Sequence, residues 1–176
     1  MTYINSVGIN GGTDKMSTSL TFANTNVEGV IPTNEFKKNN IALRQSIKMF
    51  DDKVTVDASL SYAEQTITNK PVNALYFNPL TGVYLFPNDF DNYKNNFEIF
   101  DPTRNLMTQN WPTGTSDIIQ NPFWILNRNK SIDKNQSLIS SAAIAYKAND
   151  WLTVKARGGY NKLNNTFDKR MYAGTN

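Results

Sequence analysis

Alternation of apolar and polar residues is the strongest pattern in this chain. In the segment KVTVDASLSY, Lys53 to Tyr62, apolar residues occupy every second position and small polar residues occupy the positions between them. Such alternation is typical of a β-strand with one apolar and one polar face. Six segments of about ten residues follow this pattern and predict an all-β fold, and their apolar stripe comprises Val7, Ile9, Leu20, Phe22, Ile41, Leu43, Ile47, Val54, Val56, Leu60, Leu138, Ile144, Leu152 and Val154.

The connections between the predicted strands differ greatly in length. Short turns at one rim and a long loop at the other are typical of an antiparallel up-and-down meander. The prediction is therefore strands one to four in residues 1–69, one long loop in residues 70–133, and strands five and six in residues 134–176. Three connections are tight and rich in Gly, Asn and Asp, which favours hairpins: Gly11 to Lys15, Phe50 to Lys53, and Lys147 to Trp151.

The residues of the polar face help to separate two architectures that share this topology. A soluble β-sandwich exposes its polar face to water, where Lys and Glu are common, whereas here Ser, Thr, Ala and Asn dominate with isolated charges. A transmembrane barrel strand needs about 9–11 residues, alternates in this way and carries aromatic residues near its ends. The pattern favours a barrel, and a soluble or surface-attached all-β ligand-binding module is the alternative. Aromatic residues near the predicted strand ends are Phe50, Tyr62, Tyr146 and Trp151.

Composition excludes several classes of chemistry. The chain has 18 basic and 15 acidic residues, a formal charge of +3 and no block of like charge, so nucleic acid is not a predicted partner. Cysteine and histidine are both absent, which removes thiolate and imidazole catalysis and the usual zinc sites. The first residues lack the basic and apolar regions of a signal peptide, and the strand pattern begins by about Tyr3. We therefore expect a segment of a longer chain.

Longer motifs add a second kind of signal to the alternation. Residues 6–41 contain a strand that ends in GGTD, a strand that ends in the loop NVEGV, and a phenylalanine-plus-basic start to the next strand. The long loop contains four further motifs: NPLTGVYLFP (Asn78 to Pro87), DFDNY (Asp89 to Tyr93), QNW (Gln109 to Trp111) and QNPFWILNRN (Gln120 to Asn129). Together these segments resemble the SusC/RagA family of TonB-linked outer-membrane proteins.

The resemblance implies a role in nutrient transport. It implies that the chain is part of the wall of a 22-stranded β-barrel in the outer membrane of a Gram-negative, Bacteroidetes-like bacterium. A plug domain would fill that barrel, the TonB system would energise it through the plug, and a SusD-like lipoprotein would cover it. The implied cargo is an oligosaccharide or a peptide. This chain shows no plug or TonB-binding segment, and neither an enzymatic activity nor a cofactor is expected.

Five charged residues fall on the polar parity of the predicted strands. A lipid-facing Arg or Lys at the bilayer midplane would cost about 2–4 kcal/mol, so these residues are expected to face the barrel lumen or the plug. Salt links to plug carboxylates and a role in the translocation path are both open. The five residues are Arg44, Lys48, Asp57, Lys155 and Arg157.

The long loop carries two further sets of candidates. Aromatic side chains could contact a ligand or a partner, or could pack inside the loop. Asp89 and Asp91 are weak candidates for calcium, because a full loop signature is missing. Paired carboxylates for glycoside hydrolysis could come from Asp89, Glu98 and Asp101, although no feature of the sequence places them in one cleft. The aromatic candidates are Tyr84, Phe86, Trp111, Phe123 and Trp124.

Overall fold

Six long strands form one antiparallel sheet. The computed structural model describes residues 1–86, 88–112, 116 and 118–175, with only the backbone described at Phe90. The strand order is β1-β2-β3-β4-β7-β8, an up-and-down meander that is interrupted in sequence between β4 and β7. The sheet is open, and β1 and β8 form its two edges. The strands are β1 (Thr2–Thr13), β2 (Met16–Glu28), β3 (Glu35–Met49), β4 (Val54–Thr68), β7 (Lys130–Asn149) and β8 (Leu152–Arg170).

The strands are longer than the alternating pattern predicts. They contain 12 to 20 residues, where the sequence predicts about ten. The prediction was too short because the apolar residues end before the strands do, as in β4, where polar Glu64 and Thr66 continue the apolar parity. β7 begins at Lys130, before the boundary at residue 134 predicted from the sequence.

Tight turns join three pairs of neighbouring strands. Thr13 of β1 pairs with Met16 of β2, so the turn between them has only two residues. The β7–β8 turn is equally short. The β3–β4 turn contains Phe50, Asp51 and Asp52 with φ angles of 55°, 51° and 65°. Asp tolerates this left-handed conformation better than most residues, which agrees with the predicted hairpin.

The chain divides into two compact units. The sheet unit comprises Met1–Val27, Phe36–Thr66 and Lys134–Thr166. The loop unit comprises Glu28–Glu35, Ile67–Asp133 and residues 167–175 of the described chain.

The loop unit has short elements and holds most of the buried apolar residues. β5 and β6 pair as an antiparallel hairpin, and α1 packs against α3. Among the described residues, Trp111, Trp124 and Ile125 of this unit are buried, whereas the sheet unit buries only Ala143. No described helix is long and apolar enough to cross a membrane. The elements are α1 (Pro79–Tyr84), α2 (Phe90–Asn95), β5 (Glu98–Asp101), β6 (Leu106–Gln109) and α3 (Pro122–Arg128); Pro87, which ends the NPLTGVYLFP motif, lies outside the described residues.

Candidate functional site

The sheet unit has one apolar face and one polar face, and the pair of β1 and β2 already shows both. Val7 lies opposite Phe22, and Ile9 lies opposite Leu20. Because directly opposed residues of neighbouring strands share a face, these four side chains form one apolar surface. The intervening pairs are polar or small, as Asn10 with Ser19 and Gly12 with Ser17. The register therefore aligns the two faces that the sequence predicts for β1 and β2.

Side-chain hydrogen bonds extend the polar face across the middle of the sheet. The Ser46 hydroxyl donates to a carboxylate oxygen of Asp57 at 2.8 Å, which joins β3 to β4. The hydroxyl oxygens of Ser59 and Ser141 lie 2.9 Å apart and join β4 to β7. All four residues lie on the polar parity of their strands, so the polar face is continuous.

The polar face lines a groove of about 770 Å³, and all six strands of the sheet contribute residues to its lining. Among the five charged candidates, Arg44, Asp57 and Arg157 line this groove. Lys48 and Lys155 do not line it, although both lie on the polar parity. The groove thus combines two guanidinium groups and one carboxylate with small hydroxyl side chains, a lining that can hydrogen-bond polar cargo or a polar protein surface.

The opposite face is apolar and exposed. Side chains such as Val7, Ile9 and Val154 are 63%, 64% and 56% exposed. Soluble monomers seldom expose large contiguous apolar surfaces, so this face requires an apolar environment or a partner. The exposed members of the predicted stripe are Val7, Ile9, Leu20, Phe22, Ile41, Leu43, Leu60, Ile144, Leu152 and Val154.

The apolar face ends in a band of polar residues, which we term the polar collar. Its members continue the same alternating positions toward the strand ends that lie opposite the three tight turns. Glu64 accepts hydrogen bonds from Gln136 at 2.7 Å and from the Tyr62 hydroxyl at 3.1 Å. Parity alone could have revealed the collar, but the sequence reasoning missed it. The collar comprises Asn24, Asn26, Asn39, Glu64, Lys134, Gln136, Lys162 and Asn164.

Three of the five aromatic candidates form one cluster in the loop unit. Phe86 lies edge-on to Trp111 and Phe123, with ring centroids 5.1 Å and 6.1 Å apart. Tyr93, which the sequence reasoning did not single out, joins the same cluster at 5.6 Å from Trp111. Edge-to-face contacts of this kind stabilise a packed core. These three candidates therefore have a packing role.

The other two aromatic candidates have opposite environments. Trp124 is fully buried, contacts Tyr172 edge-on at 5.5 Å, and donates its indole N–H to the Thr175 hydroxyl at 3.0 Å. Tyr84 is 87% exposed, and Val83 beside it is also exposed. Tyr84 is therefore the most exposed of the five aromatic candidates.

Asn-Pro pairs start two helices of the loop unit and explain two of the loop motifs. Asn78 caps α1 by accepting a hydrogen bond from the backbone of Leu80 at 3.0 Å, and Pro79 follows as the first helical residue. At α3, the side chain of Asn121 accepts a hydrogen bond from the backbone of Phe123, and Pro122 is the first helical residue. Asn is a favoured N-cap and Pro is favoured at the first helical position.

Asn121 also connects three parts of the loop unit. The residue is fully buried, and its side-chain amide donates to the carbonyl oxygens of Tyr93 at 3.0 Å and Asn110 at 2.9 Å. Its oxygen accepts from the backbone of Phe123 at 2.9 Å. The sequence reasoning missed this role, and the Asn-Pro pair is the pattern that could have identified it.

Two of the four acidic candidates of the loop unit, Glu98 and Asp101, have local partners. Glu98 accepts two hydrogen bonds of 2.7 Å from the guanidinium of Arg128. Asp101 accepts from the backbone N–H groups of Thr103 and Arg104 and so stabilises the β5–β6 turn. Asp89 precedes α2, and Asp91 lies in its first turn. No group of three or more potential metal ligands occurs among the described residues.

No protein-family model matches the chain, and no curated protein matches it significantly. The resemblance to SusC/RagA proteins therefore rests on the sequence motifs alone.

Proposed function

We propose that this chain is a wall segment of a SusC/RagA-type outer-membrane transporter that imports oligosaccharides or peptides. The observation that carries the proposal is the contrast between the two faces of the sheet unit. One face exposes ten large apolar residues of the predicted stripe. The other face lines a polar groove that includes Arg44, Asp57 and Arg157. A barrel wall needs both faces, because lipid contacts the outside and water fills the inside.

Strand length and open edges also favour a barrel wall. β4 carries its apolar stripe from Val54 to Tyr62, nine residues that agree with the span of about 9–11 that a tilted strand needs. In the part of the chain that the structure describes, β1 and β8 each have a strand partner on one side only, so the backbone groups on the other side have no strand partner. Those groups must pair with further strands in a membrane, because lipid offers no hydrogen bonds.

The proposed partners divide between the two faces and the loop unit. A plug domain in the longer protein would contact the groove and link it to the TonB system. A SusD-like lipoprotein would contact the loop unit, where Leu80, Val83 and Tyr84 of α1 are exposed. Aromatic and aliphatic anchors of this kind supply much of the energy of protein interfaces.

Cysteine labelling on intact cells tests the location and the orientation. The chain contains no native cysteine, so Asn92→Cys and Asp52→Cys introduce single labelling sites within it. We expect a membrane-impermeant maleimide to label Asn92→Cys in the loop unit and to spare Asp52→Cys in the β3–β4 turn. Labelling of Asp52→Cys alone would contradict the orientation. Recovery of the full-length protein in the soluble fraction would favour the soluble binding module instead.

Uptake measurements test the transport step separately. The probes are a fluorescein-labelled mixture of oligosaccharides and a fluorescein-labelled mixture of peptides, each applied to energised cells. We expect deletion of the gene that carries this chain to abolish uptake of one probe class, and the intact gene to restore it. Unchanged uptake of both classes would contradict a transport function.

A further inference from the structure

A small cavity lies where the apolar face of the sheet unit meets the polar collar. Its volume is about 220 Å³, and its lining comes from β4, β7 and β8. Leu138 belongs to the apolar stripe and supplies the apolar part of this lining. The polar part comes from Tyr62, Gln136, Lys162 and Asn164. The cavity therefore has one apolar side and one polar side, which is the chemistry of an amphiphile-binding site.

Hydrogen bonds hold the polar side of this cavity in place. Gln136 donates to Glu64 at 2.7 Å and to the Tyr62 hydroxyl at 3.2 Å. Asn164 donates to the side-chain oxygen of Gln136 at 3.3 Å. The network runs across three strands, so the side chains around the cavity are positioned without a ligand.

The charge balance of the cavity leaves one ammonium group in excess. The carboxylate of Glu64 pairs with Lys134 at 3.1 Å. Within the described part of the chain, Lys162 has no hydrogen-bonding or ionic partner, and it lies in the cavity lining. An unpaired ammonium beside an apolar surface attracts an anionic group that is attached to an apolar chain.

We propose that this cavity binds the anionic, phosphate-bearing head group of a membrane lipid, whose acyl chains lie along the neighbouring apolar face. Lys162 would pair with the phosphate, and Asn164 would donate a hydrogen bond to it. The inference rests on the proposed function, because only a lipid-facing sheet places lipids against these residues. A soluble anion could use Lys162 but would gain nothing from the apolar face, so a lipid fits the whole arrangement better.

Lipid binding to the purified full-length protein tests the proposal. Native mass spectrometry from a neutral detergent counts bound phosphatidylglycerol and, in parallel, phosphatidylcholine with the same acyl chains. We expect Lys162→Gln to weaken phosphatidylglycerol binding about fivefold and to leave phosphatidylcholine binding nearly unchanged, because one Lys near a membrane surface contributes about that factor. Lys162→Arg retains the charge and should retain the binding.

Matched controls separate the possible outcomes. Lys155→Gln removes the same charge from the opposite parity of β8 and should leave both lipids unaffected. Asn164→Leu tests the same cavity without a change of charge and should also weaken phosphatidylglycerol binding. Equal phosphatidylglycerol binding by the wild type, Lys162→Gln and Asn164→Leu would overturn the lipid site. Displacement of the bound phosphatidylglycerol by millimolar inorganic phosphate would also overturn it. Binding of neither lipid by the wild type would also overturn the lipid site, whereas recovery of the full-length protein in the soluble fraction would overturn the proposed membrane location.

Discussion

The sheet unit and the loop unit arrange their apolar residues in opposite ways. In the loop unit, Trp111 and Trp124 are buried, and the fully buried amide of Asn121 is satisfied by hydrogen bonds. In the sheet unit, large side chains such as Ile9 and Val154 are mostly exposed, while small polar residues line the groove. The loop unit thus follows the rules of a water-soluble core, and the sheet unit reverses them.

Under the proposed function, this difference reflects two solvents, water around the loop unit and lipid against the apolar face of the sheet unit. Burial of apolar groups away from water stabilises the loop unit. The same force would penalise the exposed face of the sheet unit in water, but lipid removes the penalty because its hydrocarbon is as apolar as the side chains. The position of the polar collar agrees with this interpretation, since polar residues replace apolar ones on the same face.

The largest expected effect comes from placing a charge on the apolar face. Leu60→Arg puts a guanidinium in the exposed stripe and should cost about 2–4 kcal/mol if the site lies near the bilayer midplane. Ser59→Arg is the control, because Ser59 lines the groove. We expect assembly of the full-length protein, measured by heat-modifiable gel mobility, to fall strongly only for Leu60→Arg. Equal yields of the two variants would refute the assigned faces.

A slightly smaller effect is expected from removal of the buried amide in the loop unit. Asn121→Leu removes the cap of α3 and leaves the carbonyl oxygens of Tyr93 and Asn110 without this partner. The expected destabilisation of the loop unit is about 2–3 kcal/mol. Hydrogen exchange should show faster exchange of the α3 amides, with Asn127→Ala as the exposed control. Unchanged hydrogen exchange of the α3 amides in Asn121→Leu would show that the Asn121 side chain does not stabilise the loop unit.

An intermediate effect is expected where two helices approach closely. A Cβ atom at Gly82 of α1 would collide with the carbonyl oxygen of Gln120 just before α3. Gly82→Ala should therefore destabilise the loop unit by about 1–3 kcal/mol. Gly158→Ala is the control, because a Cβ atom there has no neighbour within 4 Å. Limited proteolysis of the loop unit measures the effect, and equal resistance of the two variants would contradict it.

The smallest expected effect concerns an ion pair. Arg128 bonds Glu98 through two nitrogens and lies 5.0 Å from the ring centre of Tyr172. Both partners are partly exposed, so a double-mutant cycle with Arg128→Gln and Glu98→Gln should give a coupling of about 0.5–1 kcal/mol. The exposed pair Lys147 and Asp150 should couple by less. A larger coupling in this control pair would reverse the expected order.

The fold of the sheet unit was largely predictable from its sequence. Period-two alternation identified six strands, and the cross-strand pairs of Val7 with Phe22 and Ile9 with Leu20 confirm the faces of the first two. The strand ends were not predictable from hydrophobicity, because Glu64 and Gln136 are polar on the face where Leu60 and Leu138 are apolar. A boundary based on apolar residues therefore ends each strand too early.

The loop unit was less predictable because its elements are short. Helices of six or seven residues do not show a helical period, although Asn78 and Asn121 before proline provide start signals. The contacts of Phe86 with Trp111 and Phe123 were also not predictable, because these residues are separated in sequence and come together only in the folded unit. The groove was hidden for the same reason, because Arg44, Asp57 and Arg157, which line it, come from three different strands.

Accessibility along β4 tests directly whether the apolar face of the sheet unit contacts lipid. Single cysteines at residues 54–62 of the full-length protein would carry a nitroxide label, and collision rates would be measured with oxygen, which concentrates in lipid, and with a water-soluble nickel complex. We expect oxygen maxima at Val54, Val56 and Leu60, and nickel maxima at the alternate positions Thr55, Asp57 and Ser59, with a period of two residues. Nickel access that dominates at every position would contradict a lipid-facing sheet.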